Sequence, residues 1–256
     1  MSGARGVGGG KPPGGKLGSV LSGLAVAVGC VLFLGGFAWG AVLYKPYTVP
    51  TDSMSPTIAK GNRVLAQRID GGEVRRGDVV VFQDEVWGAL PMVKRVVGVD
   101  GDKVVCCDKQ GRLSVDGKVL EEPYLRSTEP ASLTQFSTTV PKGRLFLMGD
   151  HRSDSLDSRV HLTDSSHGAV PRGAVTARVD ATAWPVGGLG MLERPGAFKA
   201  LPGGISQPGP LRLILTAVVT GAVLILAGAA YGPVARRRGA GAGRRDEAKE
   251  KVAARG

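Results

Sequence analysis

Cysteine is scarce in this sequence, which has three in 256 residues. Cys30 lies within a long apolar run, where it packs like other small apolar side chains. Cys106 and Cys107 are adjacent on a predicted strand, so their side chains are expected on opposite faces, and a bridge between them would be strained. No cysteine has the spacing of a metal cluster, which argues against a metal centre built on thiolates.

Histidine is equally scarce, with His151, His161 and His167 as its three members. The three could be written as a metal-binding set, but histidines in loops are more often simply solvated. The sequence therefore predicts no metal and no cofactor.

The body of the chain lacks a clear excess of charge of either sign. The net charge is +11, but residues 1–16 carry three basic and no acidic residues, and residues 232–256 carry eight basic against three acidic ones. Residues 44–210 hold 21 basic and 19 acidic residues. A nucleic-acid-binding surface needs basic charge concentrated on the folded body, so nucleic acid is not expected as a partner.

Two long runs contain no charge at all. The first covers the 28 residues 17–44 and the second the 23 residues 213–235, and both are flanked by Lys or Arg. About 20 apolar residues suffice for a helix to cross a bilayer, so both runs predict transmembrane helices. A cleaved secretory signal is the alternative for the first run, but its apolar stretch is longer than the roughly 7–15 residues of such signals.

The short basic tails predict the orientation of the chain. Positive residues in short segments stay in the cytoplasm, whereas a middle segment of this length does not follow the rule. We therefore predict a two-pass protein of the cell membrane, in contact with the lipid bilayer, with both termini cytoplasmic and the middle segment outside.

The middle segment lacks sustained 3.6-residue periodicity and has short, valine-rich runs, which favour strands. Asp116-Gly117 between two of these runs is a hairpin signal. The predicted fold is a mainly β extracytoplasmic domain of antiparallel, barrel-like sheets, flanked by two transmembrane α-helices. The predicted strands are 79–82, 93–99, 103–106, 113–115, 118–120, 144–148 and 175–183. The predicted organisation is a disordered basic tail (1–16), a first span (17–44), the β domain (45–192), a linker (193–210), a second span (211–235) and a second disordered basic tail (236–256).

The first stretch whose side chains could take part in catalysis is 49–58, VPTDSMSPTI. A serine among turn-forming residues is ordinarily a loop serine. Ser53, however, follows Tyr44 by nine residues, which places it within about 30 Å of the end of the first span. Any reaction at Ser53 would take place near the membrane surface.

The second stretch, 92–98, places two cations inside an aliphatic strand. Strand alternation puts Lys94 and Arg95 on opposite faces, so one of them must meet an apolar face. Both could extend to water at a sheet edge. Alternatively, burial lowers the pKa of Lys94 and leaves a neutral amine that can take a proton from a serine.

The third stretch is 149–159, GDHRSDSLDSR, which follows a predicted strand. It is dense in short polar side chains and is typical of a polar turn. The same composition also suits a buried hydrogen-bonded network.

In this order and behind a membrane anchor, the stretches SMSPT, RGDVVVF, KRVVG and GDHRSDSLDSR resemble four motifs of type I signal peptidases, the Ser-Lys endopeptidases of bacterial export. The resemblance covers roughly residues 45–185. It implies a membrane-bound serine endopeptidase that removes signal peptides from exported preproteins, with Ser53 as nucleophile and Lys94 as general base. It also implies small pockets that accept alanine-like residues before the cleaved bond.

The resemblance assigns further roles residue by residue. Thr51 stands where the family often has a serine whose hydroxyl joins the nucleophile's own N–H as the oxyanion hole. Ser155 matches the serine that orients the lysine amine. Four charged residues match positions that brace the site: Arg95, Asp150, Asp157 and Arg159.

The third stretch also departs from the family pattern. His151 replaces the more usual asparagine after Gly-Asp, and Ser153-Asp154 replaces Asp-Asn. These departures bear on the supporting network and leave the serine and the lysine in place.

Other functions explain fewer of the features of the sequence. Self-cleaving repressors share this catalytic architecture, but they are cytosolic and bind DNA. A sortase would need a reactive cysteine in the outer domain, where only the adjacent pair is available. A Ser-His protease could be written from Ser53, His151 or His161, and Asp157. A non-enzymatic anchored β-domain is the remaining alternative.

Overall fold

The computed structural model describes residues 14–126 and 129–231. Both predicted tails lie largely outside these residues. The described residues form two units, a helical unit of residues 14–40 with 210–231 and a β unit within residues 41–209.

The helical unit contains two helices, α1 (Gly14–Leu43) and α2 (Leu211–Tyr231). Val20–Leu43 and Leu211–Tyr231 are long and apolar enough to cross a membrane, and most of their side chains are not buried by protein. The end of the predicted second span, 232–235, lies outside the described residues. The helix of the predicted first span, 17–44, begins three residues earlier, at Gly14, and ends one residue earlier, because Tyr44 already belongs to a strand.

Small residues bring the two helices together. A Cβ on Gly29 would lie 2.8 Å from the carbonyl oxygen of Gly221, so the backbones approach closely there. The Ser22 hydroxyl donates a hydrogen bond to the carbonyl of Gly228 at 2.7 Å. Packing of small residues together with a polar contact is typical of helices that associate in a bilayer.

The β unit consists of antiparallel strands in two sheets, of eight and four strands. The large sheet has the order β1-β2-β11-β3-β4-β9-β10, with β12 paired to β11, and the small sheet has the order β7-β6-β5-β8. Antiparallel sheets between two long apolar helices confirm the predicted fold class. The strands are β1 Tyr44–Thr48, β2 Arg63–Arg68, β3 Val79–Asp84, β4 Gly88–Val99, β5 Lys103–Cys106, β6 Leu113–Val115, β7 Lys118–Val119, β8 Phe136–Thr139, β9 Arg144–Met148, β10 Val170–Pro171, β11 Val175–Trp184 and β12 Gly190–Met191.

The aliphatic strands of the large sheet are buried on both faces. In β3, Val79 and Val81 belong to one apolar cluster, and Val80 and Phe82 to another. A strand covered on both faces reads as a continuous apolar run instead of an alternating one, which is why β3 was recognisable from the sequence.

The predicted hairpin at Asp116-Gly117 is confirmed. β6 and β7 pair with Val115 opposite Lys118. Both turn residues have positive φ, 50° for Asp116 and 76° for Gly117. Two central residues with positive φ are what a type I′ turn requires.

The structure differs from the expectation for the adjacent cysteines. Cys106 and Cys107 form a disulfide. β5 ends at Cys106, so Cys107 lies outside the strand, and the alternation that would separate the two side chains does not apply.

The segment predicted as a linker, 193–210, packs on the β unit. Phe198 and Leu201 are buried in an apolar cluster. Arg194 pairs with Asp180 at 2.7 Å. Up to residue 209 this segment therefore belongs to the β unit, because its apolar side chains contribute to the core.

Candidate active site

Ser53 lies in a turn that is held in place by buried apolar side chains. Met54 and Ile58 are fully buried and pack with strands of the large sheet. Two backbone hydrogen bonds, from Ser55 N–H to Asp52 and from Ile58 N–H to Met54, close the turn. Because the neighbours of Ser53 are held in the core, its hydroxyl has a defined position although it lies next to a cleft.

The structure brings Lys94 to Ser53. Lys94 lies in the middle of β4, opposite Val80 of β3, and its Nζ is 2.8 Å from Ser53 Oγ. Lys94 is 6% exposed and Ser53 8%. The sequence left open whether the lysine reaches water, and the structure shows that it is buried.

Burial lowers the pKa of the Lys94 amine below its usual range. The charges of Asp157 and Asp150 act in the opposite direction, and that of Arg159 lowers the pKa further. Both carboxylates are paired to arginines, which limits how far they stabilise a charged amine. The arrangement therefore favours a neutral amine beside a hydroxyl, which is what a general base requires.

Thr51 carries a second hydroxyl beside that of Ser53. Its Oγ1 lies 3.3 Å from Ser53 Oγ, and the residue is exposed. Its predicted role as an oxyanion donor is compatible with this placement and stays a prediction.

Arg95, the second cation of the strand, is neutralised by Asp150. Its Nε and Nη2 donate to the two carboxylate oxygens at 2.8 and 2.6 Å, and both side chains are almost completely buried. The guanidinium also donates to the carbonyl of Gly77 at 2.8 Å and lies 4.1 Å from the ring centroid of Tyr124. This pair ties the strand that carries Lys94 to the loop after β9.

Asp157 and Arg159 form a second pair within that loop. Arg159 donates to both oxygens of Asp157 at 2.8 Å, and Asp157 also accepts from the backbone N–H of Gly149 at 2.9 Å. Burial alone would raise the pKa of Asp157, but these hydrogen bonds and the Arg159 charge lower it overall. Asp157 is therefore an anion that fixes the start of the loop.

Ser155 lies close to the site without making the contact expected of it. Its Oγ is buried and has no hydrogen-bond partner in the described structure. It packs against Gly149, beside the carbonyl of Ser53. The lysine-orienting role of Ser155 stays a prediction.

The histidines do not form the alternative catalytic set. The hydrogen bonds that the structure describes for Ser53 Oγ go to Lys94 and Thr51. His161 stacks on Trp87 and contacts Asp164, while Asp157 is taken by Arg159. A Ser-His-Asp arrangement is therefore not assembled among the described residues.

A cleft of about 410 Å³ opens beside Ser53 and Lys94. It is largely apolar and is lined by the segment before Ser53 and by residues 90–94 of β4. Its side chains include Tyr47, Val49, Val81, Leu90, Met92 and Val93.

Comparison with known proteins identifies this arrangement. The sequence profile of the family described as "Signal peptidase, peptidase S26" matches residues 20–184, more than half of the chain. The chain belongs to this signal peptidase family. The match confirms the family and enzyme class that the motifs predict: a signal peptidase I, a serine peptidase that removes signal peptides from secreted preproteins. Signal peptidases of this type are membrane-bound, in agreement with the two apolar helices.

Individual signal peptidases are similar to this chain. The chain is 37% identical over 127 residues to signal peptidase I U of Bacillus subtilis (strain 168), an alignment that covers 46% of this chain and 66% of that protein. It is 31% identical over 210 residues to a probable signal peptidase I of Mycobacterium leprae (strain TN), covering 58% and 72%. A crystal structure of a signal peptidase I from Enterococcus faecalis V583 is 26% identical and covers 41% of this chain and 94% of its own, with a TM-score of 0.34.

The sequence did not predict the contacts by which Arg152 holds the loop after β9. Arg152 donates to both oxygens of Glu122 at 2.9 and 2.7 Å, and its Nε donates to the carbonyl of Gly149 at 3.1 Å. Arg152 stood in a recognised motif. Glu122 did not, because nothing in the sequence around it marks a buried carboxylate.

Proposed function

We propose that this signal peptidase cleaves its substrates with Ser53 as nucleophile and Lys94 as general base. The observation that carries the proposal is the 2.8 Å contact between the Ser53 hydroxyl and a buried amine of lowered pKa. A buried lysine beside a serine activates it without a histidine.

The reaction follows from this contact in two halves. Neutral Lys94 takes the hydroxyl proton as Ser53 Oγ attacks the carbonyl carbon of the scissile peptide bond. The resulting ammonium then gives that proton to the leaving amine, and an acyl-ester on Ser53 remains. In the second half Lys94 takes a proton from water, the hydroxide attacks the ester, and the returned proton restores the Ser53 hydroxyl.

The oxyanion that forms in each half needs donors beside Ser53. We assign this role to the backbone N–H of Ser53 and the hydroxyl of Thr51, whose Oγ1 is 3.3 Å from Ser53 Oγ. A donor aimed at the developing charge is worth roughly 10²–10³ in rate.

The cleft supports signal peptides as the substrate. Its aliphatic lining disfavours charged side chains, because burying an unpaired charge is costly. A volume of about 410 Å³ is shared by several residues of an extended peptide, so each of them is expected to be small. The partner proposed for this cleft is the segment of a preprotein that precedes the cleaved bond.

The location of the reaction follows from the charge pattern. The tails are basic, and the β unit is nearly neutral. We therefore propose that the β unit lies outside the cytoplasm, where signal peptides emerge from the bilayer, and that both tails lie inside.

Detergent-solubilised protein and an exported precursor test the proposal. Wild type is expected to cut the precursor at its signal junction, and Ser53→Ala is expected to lose this activity. Ser55→Ala is the matched control, since Ser55 lies in the same turn and its hydroxyl contacts Arg126 instead of Lys94. Equal activity of Ser53→Ala and Ser55→Ala would contradict the proposal.

A further inference from the structure

Three potential metal ligands converge beside the nucleophile turn. They are the side chains of Asp52, His151 and Asp154, whose ligand atoms all lie within 4.8 Å of one another. Asp52 precedes the nucleophile directly, and the other two lie in the loop after β9. The cluster therefore links the turn that carries Ser53 to the loop after β9.

One ring nitrogen of His151 lacks a hydrogen-bond partner in this cluster. His151 is 8% exposed, and its Nδ1 is buried without a hydrogen-bond partner. Nδ1 lies 3.2 Å from Asp52 Oδ2, but the two atoms are not aligned for a hydrogen bond. A buried polar atom that points into a cluster of carboxylates without a partner of its own is an exception that needs an explanation.

The opposite edge of the ring faces a further carboxylate. Glu129 Oε1 is 3.9 Å from His151 Nε2, and Glu129 Oε2 is also buried without a partner. Histidines that bind metals commonly donate their second ring N–H to a carboxylate, which fixes the tautomer. An Nε2–H that faces Glu129 leaves the imidazole lone pair on Nδ1, the nitrogen that lies 3.2 Å from Asp52 Oδ2.

From these contacts, and contrary to the expectation from the sequence that no metal binds, we infer that Asp52, His151 Nδ1 and Asp154 bind a divalent transition-metal ion such as Zn²⁺. An imidazole nitrogen favours such an ion over Mg²⁺ or Ca²⁺, which take oxygen ligands. Two carboxylates and a neutral imidazole balance its charge. Three protein ligands leave one tetrahedral position for water.

The ion has a structural effect and takes no part in the proposed chemical steps. The backbone N–H of His151 already donates to the carbonyl of Ser53 at 3.0 Å. A metal held by Asp52 on one side and by His151 and Asp154 on the other adds a side-chain link between the same segments. His151 and Asp154 are also positions at which this chain departs from the signal peptidase motif that it resembles.

The inference is tested on the full-length, untagged protein in detergent. The protein is first treated with EDTA, the EDTA is removed, and the binding of Zn²⁺ is then measured. Calorimetry is expected to show one Zn²⁺ per chain, and Tm is expected to rise with Zn²⁺ concentration because the ion binds the folded state. Replacing the imidazole in His151→Asn, or one carboxylate in Asp154→Asn, is expected to weaken binding at least tenfold.

His161→Asn is the matched control, because His161 also lies beside an aspartate, with Nδ1 2.9 Å from Asp164 Oδ2, but outside the cluster. Its affinity for Zn²⁺ is expected to equal that of wild type. The inference is wrong if wild type binds no Zn²⁺ below millimolar concentration, if His151→Asn binds it as tightly as wild type, or if His161→Asn weakens binding as much as His151→Asn.

Discussion

At the scale of single residues, the reactivity proposed for Ser53 depends on how Lys94 is buried. Its neighbour Arg95 is also buried, but it has a bidentate carboxylate partner and stays charged. Lys94 instead contacts the hydroxyl of Ser53, and burial lowers its pKa. Two adjacent cations in one strand thus take opposite roles because only one of them is paired with a carboxylate.

Lys94→Arg is expected to be nearly inactive although it keeps the charge, because a guanidinium stays protonated up to about pH 12. Lys94→Met is expected to be equally inactive but folded, since an uncharged side chain of similar size suits the buried position. The loss in kcat/KM is expected to be at least roughly 10²–10⁴-fold, the usual contribution of a general base. Precursor cleavage and thermal unfolding measure the two effects.

Lys103→Arg on the exposed side of β5 is the control for this exchange and is expected to cleave normally. A Lys94→Arg variant that still cleaves, beside an inactive single-histidine variant, would replace the Ser-Lys pair with a histidine-based site.

The pH profile is expected to report the same amine. Lys94 acts as a base only when it is neutral, so kcat/KM should rise with pH through the pKa of Lys94 in the free enzyme. Since burial lowers that pKa, the acid limb should lie below the usual lysine value of about 10.4. Initial rates measured across a pH series give the limb. An acid limb that vanishes in His161→Asn or His167→Asn would assign it to a histidine.

Much of the site could be predicted at the residue scale, but not the partners of its arginines. Ser53 and Lys94 stand in recognisable motifs, and the structure brings them together. Tyr124 and Glu122, which contact Arg95 and Arg152, lie in a segment without any such motif. Contacts between segments distant in the chain leave no local pattern, so only the fold reveals them.

At the scale of elements, the loop after β9 is held at its first residue. The N–H of Gly149 donates to Asp157, and its carbonyl accepts from Arg152. The Cα of Gly149 also faces Ser155 and the carbonyl of Ser53, with no room for a side chain. The loop and the nucleophile turn therefore meet at a point where only glycine fits.

Gly149→Ala is expected to destabilise the protein and to reduce cleavage. The new Cβ would overlap the carbonyl oxygen of Ser53, which is backbone and cannot move without displacing the nucleophile. Overpacking of this kind costs about 1–3 kcal/mol, and a displacement of the reacting group by about 1 Å can cost roughly 10²-fold in rate. Thermal unfolding and precursor cleavage measure these effects.

Gly173→Ala is the matched control, because a Cβ at Gly173 would meet nothing within 4 Å. Its stability and activity are expected to stay near those of wild type. If Gly149→Ala behaved like Gly173→Ala, the close contact would have no role in positioning Ser53.

The strands that the sequence predicted are mostly those with long aliphatic runs, and the missed strands lack such runs. β2 has charged residues at both ends and only two fully buried side chains, Val64 and Ala66. β1 contains Pro46, and proline weakens a strand prediction. These strands form through pairing with neighbours, β1 with β2 and β2 with β11, which tertiary structure supplies and local sequence does not.

At the scale of the whole molecule, the distribution of charge separates two kinds of surface. The helices α1 and α2 expose apolar side chains along most of their length, as expected for contact with lipid. The β unit instead pairs its buried charges internally, as Arg95 does with Asp150 and Arg152 with Glu122. The excess positive charge lies in the sequences of the two tails, on which the predicted orientation rests.

This charge asymmetry predicts that the β unit lies outside the cytoplasm and that both tails lie inside. Labelling of single introduced cysteines in sealed cells with a membrane-impermeant maleimide measures it. Leu156→Cys is expected to react in sealed cells, because Leu156 is 78% exposed on the β unit. Ser2→Cys in the first tail is expected to react only after permeabilisation, because the basic residues near it are expected to keep the tail on the cytoplasmic side.

The parent protein is the control for both variants, since Cys106 and Cys107 are joined in a disulfide and Cys30 lies within α1. The opposite pattern, with Ser2→Cys labelled in sealed cells and Leu156→Cys protected, would place Ser53 in the cytoplasm, where it could not reach the cleavage sites of exported preproteins.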